Sequence, residues 1–412
     1  MNRVILHSDL NNFYASVECL YNPAIRDMPV AVAGDIEKRH GIVLAKNYIA
    51  KEYGIKTGDS LWEAKTLCPD IVFVPPSYDK YIKYSRLVKK IYMDYTDRVE
   101  SFSLDECWLD VGQSTSLFGS GEKIADIIRS RVKEELGVTV SIGVSFNKIF
   151  AKLGSDMKKP DATTVITKEN FRGKVWPLPA DNLLFVGKAT KRKLNKYGIH
   201  TIGDIAKADI NLLKCELGVN GIMLWRFANG LDNSPVALAG TEPEVKSISN
   251  STTLPYDIKS EDDVRITMYV LAESVAERLR ENGFLCGTVQ IGLRDKNLYV
   301  FERQGKLRFL TNSSEEIFQK AFELYGANKP KEALRSISIR VCSLAGIEMR
   351  QLSCLDDFEK MEKRERAERA VDNIRRRFGH SSIKRGIMMT NGQLSDLDPK
   401  NDHTIHPVGF LR

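Results

Sequence analysis

Ser101-Phe102-Ser103-Leu104-Asp105-Glu106-Cys107-Trp108-Leu109-Asp110-Val111 is the stretch on which the fold of this chain turns. Residues of high β-propensity flank an adjacent carboxylate pair. Side chains alternate faces along a regular strand, so Asp105 and Glu106 can converge only at a turn or bulge, and the stretch reads as an acidic hairpin. A second run, Asn2-Arg3-Val4-Ile5-Leu6-His7-Ser8-Asp9, reads as a buried strand that delivers a third carboxylate before Asn11 and Asn12 break the pattern. Three acids at strand ends, Asp9, Asp105 and Glu106, form a candidate metal site. Oxygen-only ligands favour a hard cation, and a Mg²⁺ ion that keeps some waters and takes substrate phosphates needs few protein carboxylates. A pair of such ions about 3.5–4 Å apart is the two-metal arrangement for phosphoryl transfer. Adjacent Asp-Glu pairs also occur on solvated turns, so the neighbours of the pair have to decide.

At 412 residues the chain is long enough for three or four domains, and its 42% hydrophobic content can supply a core for each. A formal net charge of +7 and a pI of about 8.8 suit a polyanionic partner without establishing one. The seven cysteines form no C-x-x-C pair or His-Cys cluster, which argues for reduced thiols over zinc or a disulfide framework. The N-terminus enters a strand pattern directly, without a charged n-region and apolar h-region, and no apolar stretch approaches the roughly 20 residues of a membrane span. The expectation is a soluble, cytoplasmic protein with no membrane partner, acting as a monomer.

Phe13, Tyr14, Val17 and Leu20 recur at helical spacing, which puts an aromatic pair on a helix beginning beside Asp9. Pro29 to Gly34 and Gly41 to Tyr48 read as paired strands, followed by a helix with Ala50 and Lys51 that Gly54 stops. Leu61, Trp62, Ala64 and Leu67 form another short helix before Pro69. Helices over Tyr78 to Tyr95 and Lys123 to Leu136 bracket the hairpin, and Val138 to Val144 alternates as a strand; this order fits a ferredoxin-like layer. Pro177 and Pro179 mark a boundary. Beyond it, Leu184-Phe185-Val186-Gly187-Lys188 and Leu217-Gly218-Val219-Asn220-Gly221 each lead into a helix, the pattern of two helix-hairpin-helix units. Glycine there lets backbone N–H groups approach a phosphate closely, and the helix dipole adds attraction. Ala239 to Lys246 reads as a linker. Helices over Asp262 to Asn282 and Glu315 to Tyr325, with strands at Thr288 to Leu293, around Leu307 and over Ser336 to Leu344, indicate α+β layering. Acidic Asp356 and Asp357 favour a final helix whose apolar stripe is Ala367, Ala370, Val371, Ile374 and Phe378, expected to dock on this chain or on a partner.

Asp9-Leu10-Asn11-Asn12-Phe13-Tyr14-Ala15-Ser16-Val17-Glu18, Ser103-Leu104-Asp105-Glu106-Cys107 and the run from Ser145 to Lys159-Pro160 resemble the motifs of the Y-family (translesion) DNA polymerases, in the family's order. The resemblance covers about residues 1 to 355 and points to the bacterial polymerase IV and polymerase V catalytic-subunit group. The fragment Val43 to Lys65 leans toward the polymerase V and Gram-positive relatives. The resemblance implies an α+β multidomain, right-hand polymerase: a ferredoxin-like palm (1–24 and 78–168), small fingers (25–77), a helix-hairpin-helix thumb (169–238), a linker (239–245), an α+β little finger (246–350), a clamp-binding motif (351–355) and a C-terminal helical tail (356–412). It assigns Asp9, Asp105 and Glu106 to catalysis with two Mg²⁺ ions. Leu10, Phe13, Tyr14, Tyr48, Lys51 and Lys159 fall at the nucleotide: Tyr14 matches the steric gate against a 2′-hydroxyl, Phe13 packs beside it, and Tyr48, Lys51 and Lys159 match triphosphate contacts. Lys51 stands where many relatives have Arg, and lacks the bidentate fork. Phe185, Gly187, Lys188, Gly218 and Gly221 in the thumb, and Lys246, Arg335 and Arg340 in the little finger, match contacts to the DNA backbone, although relatives often carry Gly at the position of Phe185. Gln351, Leu352 and Leu355 match a sliding-clamp motif. The implied activity is template-directed DNA synthesis at low fidelity with lesion bypass, the partners being primer-template DNA, deoxynucleoside triphosphates and a sliding clamp. A nucleotide cyclase has no use for two phosphate-binding hairpins, and a catalytically silent, clamp-associated DNA-binding repair scaffold has no use for three acids.

Overall fold

Ile5–Leu10 forms strand β1, buried at every position in the middle of a five-stranded sheet. The computed structural model describes residues 3–34, 41–241, 244–349 and 358–400, in two compact units that divide between residues 242 and 243. The clamp-motif residues Gln351, Leu352 and Leu355 lie outside the described residues.

In the first unit, β2 (Val30–Ala33), β3 (Val43–Lys46) and β4 (Val72–Val74) make a separate small sheet in the order β3-β2-β4. Strands β5 (Val99–Ser101), β6 (Glu106–Asp110), β7 (Val140–Ser145) and β8 (Thr163–Ile166) join β1 in the order β5-β6-β1-β7-β8. β1 is antiparallel to both β6 and β7. With the helices Tyr78–Met93 and Gly121–Leu136 in the connections, strands β1, β5, β6 and β7 have ferredoxin-like topology.

Alternation along β1 then sorts its side chains. Leu6 and Leu10 enter a core with Tyr92, Leu109, Ile124, Ile128 and Val132, each such burial contributing roughly 1.5–3 kcal/mol. Ile5 takes the other face, where it meets Trp108 and Ala151 of the helix Lys148–Met157. That helix lies directly on β7: a Cβ on Gly143 would stand 1.9 Å from the Ala151 carbonyl oxygen and 2.5 Å from the Ser155 nitrogen. Only glycine permits this approach, which brings Lys152 to Asp9. A third core, with Leu194, Ile202, Leu213 and Leu224, gathers the short helices between residues 188 and 228.

In the second unit, β9 (Ser247–Ile258), β10 (Phe284–Asp295), β11 (Val300–Thr311) and β12 (Leu334–Gly346) form an antiparallel sheet in the order β11-β10-β12-β9. Helices Glu261–Glu281 and Ser314–Ala327 cover it, with Leu271, Val275, Ile291, Ile317 and Ile339 in the shared core.

The tail belongs to this unit, and it docks by a different face from the expected one. In helix Phe358–Phe378 the stripe residues Ile374 and Phe378 are exposed, whereas Asp372 and Arg375 are buried. The reason lies beneath it. Arg280, on helix Glu261–Glu281, makes a two-pronged contact with Asp372 at 2.6 and 2.7 Å and reaches Glu368 at 2.7 Å. Glu273 accepts hydrogen bonds from Arg375 at 2.8 Å and from Arg385 at 2.7 Å. A buried charge needs a partner, so the charged face turns inward. Met388 and Leu394 then plug into the core. Asp372→Ala, which strands Arg280, should destabilise the protein by about 3–5 kcal/mol, read as a lower thermal midpoint; an unchanged midpoint would mean that the pair is not structural.

Candidate active site and nucleic-acid interface

Asp9 and Glu106 are register partners across β1 and β6, so both carboxylates take the sheet face covered by helix Lys148–Met157. Asp105 stands in the turn just before β6; the Leu10 N–H donates to its carbonyl at 3.0 Å, and the Ser103 hydroxyl donates to its carboxylate. Lys152 Nζ lies 2.7 Å from Glu106 Oε1, 3.4 Å from Asp9 Oδ2 and 2.8 Å from Asp156 Oδ2. Lys159 Nζ is 2.8 Å from Asp9 Oδ2 and 3.1 Å from Asp156 Oδ1.

Among the described residues no three acidic, histidine or cysteine side chains converge on one cation position. Two ammonium groups hold Asp9 and Glu106, and Ser103 engages Asp105. The donor chemistry nonetheless fits a hard divalent cation. Burial raises the proton affinity of Asp105 and pushes Glu106 up to about 7, despite the opposing pull of Lys152. Buried oxygen donors with raised proton affinity gain most from a cation that replaces the proton.

A carboxyl whose folded-state value is raised binds protons more tightly folded than unfolded. Its stabilising contribution is therefore complete below the ordinary value of 4.5 and lost as pH rises through about 7. Without divalent cations, Glu106→Gln should gain about 1–3 kcal/mol on the wild type between pH 5 and pH 8. Thermal melts across that range in a chelating buffer check this, and parallel pH profiles for both proteins would contradict it.

The aromatic pair separates as alternation around a helix requires. Phe13 and Leu10 are buried in the core, 4% and 3% exposed, so their side chains serve packing, and a nucleotide contact at these positions is one made by the backbone. Tyr14 is half-buried, its ring stacked on Tyr81 at 4.1 Å and 8°. Burial raises the Tyr14 hydroxyl well above the ordinary phenol value. Asn47 caps the helix Tyr48–Glu52 by accepting from the Ala50 N–H at 2.9 Å. Lys51 is exposed, its ammonium 5.5 Å from the Tyr48 ring centre. Burial raises the Tyr48 hydroxyl as well, while Lys159 pulls it down and Asp9 pushes it up, so Tyr48 feels the Lys159–Asp9 pair.

In the segment of short helices from residue 188 to 228, a groove of about 600 Å³ lies between the two hairpins, lined by Phe185, Lys193, Glu216 and Asn220 among others. Gly187 and Lys188 are exposed at the start of helix Lys188–Asn195. Phe185 has φ 71° and is exposed; glycine suits that left-handed backbone better, which accounts physically for Gly in the relatives. Gly218, at φ 64°, is exposed ahead of helix Val219–Ala228. Gly221 is buried, and a Cβ there would stand 2.0 Å from the Leu213 carbonyl oxygen, so glycine is needed for the packing of helix Val219–Ala228 on Leu213.

In the second unit Lys246 and Arg340 are exposed. Arg335 is half-buried, and its guanidinium pairs with Asp257 through two bonds of 3.2 Å. The registers Gln290↔Arg340 and Thr288↔Lys306 place Arg340, Lys306 and, by alternation along β10, Arg294 on the sheet face away from the helices. Sequence reading passed over Arg294 and Lys306, although Lys306-Leu307-Arg308 carries the alternation signal. It also gave no role to Lys152, which the i,i+4 spacing of Lys148, Lys152 and Asp156 places on one helical face.

Comparison with known proteins finds relatives along most of the chain. The "impB/mucB/samB family" matches residues 8–156, its C-terminal domain matches 245–354, and the "DNA polymerase-iota, thumb domain" matches 181–232. The chain is 54% identical over 398 residues to DNA polymerase IV of Acetivibrio thermocellus, covering 96% of this chain and all of that protein. It is 35% identical to DNA polymerase IV 2 of Bacillus subtilis, covering 94% and 95% respectively. These relatives bear the polymerase IV name and come from Gram-positive bacteria, the second of the two groups toward which Val43 to Lys65 leans. A solved structure of a Y-family DNA polymerase chimera (Dbh-Dpo4-Dbh) superposes with a TM-score of 0.72 at 24% identity, covering 82% of this chain and 98% of that one.

Proposed function

Since this chain belongs to the Y-family DNA polymerases, in their impB/mucB/samB branch, we propose that Asp9, Asp105 and Glu106 hold two Mg²⁺ ions at the end of β1 and carry out template-directed nucleotidyl transfer. The enzyme is a low-fidelity, translesion DNA-directed DNA polymerase. The observation that supports the site is the meeting of Asp9 and Glu106 with Lys152 and Lys159 on one sheet face. When bound, the ions supply positive charge for the primer 3′-oxygen and the leaving pyrophosphate. Lys159 exchanges Asp9 for the triphosphate, and Tyr48 and Lys51 neutralise it from the fingers side. Lys152 stays with Glu106 and keeps that carboxylate oriented. Tyr14 lies under the incoming sugar and leaves no room for a 2′-hydroxyl. Gly187, Lys188 and Gly218, with Lys246, Arg340, Lys306 and Arg294, bind DNA phosphates without reading sequence, which makes the grip salt-dependent.

Such a grip releases DNA after few additions, so we place a sliding clamp among the partners of this otherwise monomeric, cytoplasmic enzyme. A clamp raises the effective concentration of polymerase at the primer without altering the site. Gln351 offers amide hydrogen bonds, and Leu352 and Leu355 are apolar anchors. The test is primer extension with Mg²⁺ and four deoxynucleotides on intact and damaged templates, with and without loaded clamp. Templated extension past lesions is expected. The double variant Gln351→Ala, Leu352→Ala should lose clamp stimulation, about tenfold or more in product length, and keep its clamp-free extension. Equal stimulation of both proteins would remove the motif from recruitment, and no templated extension would remove the catalytic reading.

A further inference from the structure

Tyr14 rests on a ring that is itself pinned. Tyr81 is fully buried, stacks on Tyr14 at 4.1 Å, and is met edge-on by Tyr78 at 5.6 Å. Its hydroxyl donates to Glu18 Oε1 at 2.6 Å and accepts from the Ser77 N–H at 3.0 Å. Glu18 is 4% exposed and sits one helical turn beyond Tyr14 on helix Phe13–Tyr21. Its other oxygen, Oε2, receives Lys80 at 3.1 Å. The polar end of Tyr81 is therefore held by a buried carboxylate carried on the same helix as Tyr14. A hydrogen bond to an ionised acceptor is about twice as strong as one between neutral groups, and a stacked ring anchored at its far end cannot tilt away from pressure on its face.

We infer that Glu18 is a positioning residue for sugar selection: by holding the Tyr81 hydroxyl it fixes the platform behind Tyr14, and so limits how far Tyr14 can yield to a ribonucleotide's 2′-hydroxyl. The inference rests on Tyr14 as the steric gate. A soft platform lets the gate retreat, and the retreat favours the larger sugar while changing little for the smaller one. A residue serving only the fold would lower incorporation of both sugars together.

The measurement is kcat/KM for a ribonucleoside and the matching deoxyribonucleoside triphosphate opposite the same template base, in the full-length protein. Tyr81→Phe removes only the hydroxyl, and Glu18→Ala removes only its acceptor. Each should raise the ribo-to-deoxy ratio about three- to tenfold, with the ribonucleotide value moving more than the deoxynucleotide value. Glu18→Gln keeps a neutral acceptor oxygen and should give a ratio between those of Glu18→Ala and wild type. Tyr14→Ala is measured alongside. If Tyr14→Ala raises the ratio and Tyr81→Phe does not, Glu18 has no part in selection. If Tyr14→Ala leaves the ratio unchanged, the gate assignment falls and this inference falls with it. Should Glu18→Ala fail to fold, Tyr81→Phe decides alone.

Discussion

Asp105→Ala and Glu106→Ala should each lower single-nucleotide incorporation by about a thousandfold or more, while affinity for primer-template DNA changes by less than about threefold. The two acids arrive by different routes. Glu106 opens β6 as the partner of Asp9, and Asp105 is held by the turn before it. In both, burial raises the proton affinity, so each has much to gain from a divalent cation and little to contribute to the duplex. Removing Glu106 also frees Lys152, now 2.7 Å from it, to pair more fully with Asp9, which further disfavours cation entry. On the function proposed above, phosphate contacts are carried elsewhere, on the glycine hairpins and the outer sheet face, which is why binding should survive. Incorporation rates and equilibrium DNA binding on the same preparations, with Mn²⁺ binding followed by electron paramagnetic resonance, check the claim. Extension retained by both variants would take these acids out of the chemistry, and binding lost in parallel would assign them to DNA contact.

Tyr14→Ala should raise ribonucleotide incorporation relative to deoxyribonucleotide incorporation by about a hundredfold. As the proposed gate, Tyr14 would work by exclusion: its ring is backed by Tyr81 on one side and met edge-on by Tyr78 at 5.8 Å on another, so it cannot move aside without disturbing a packed cluster. Interiors packed to this density resist displacement, and a small clash becomes a large penalty. Truncation to Ala removes the obstacle and leaves Phe13, buried in the neighbouring core, in place. The ratio of kcat/KM values for the two sugars reads the effect, and an unchanged ratio would return Tyr14 to ordinary core packing.

Much of this protein is decided by local order along the chain. The run from Val4 to Asp9 can be buried only as a central strand, and the period-2 alternation that buries Leu6 and Leu10 is the same alternation that delivers Asp9 to the opposite face. The hairpin acids, the helical aromatic pair and the glycine hairpins are legible for the same reason: each depends on spacings of a few residues. Tertiary structure decided what depends on distant partners. Lys152 became part of the site because Gly143 lets one helix settle on β7, a contact between segments that share no local pattern. Gly221 and Gly218 look alike in sequence, and only the neighbour at Leu213 separates a packing glycine from an exposed one. Arg335 is engaged by Asp257, 78 residues away. The tail shows the limit most clearly. Periodicity marked Ile374 and Phe378 as the docking stripe, but the surface it meets carries Glu273 and Arg280, and the cost of burying those charges unpaired outweighs what the stripe could gain.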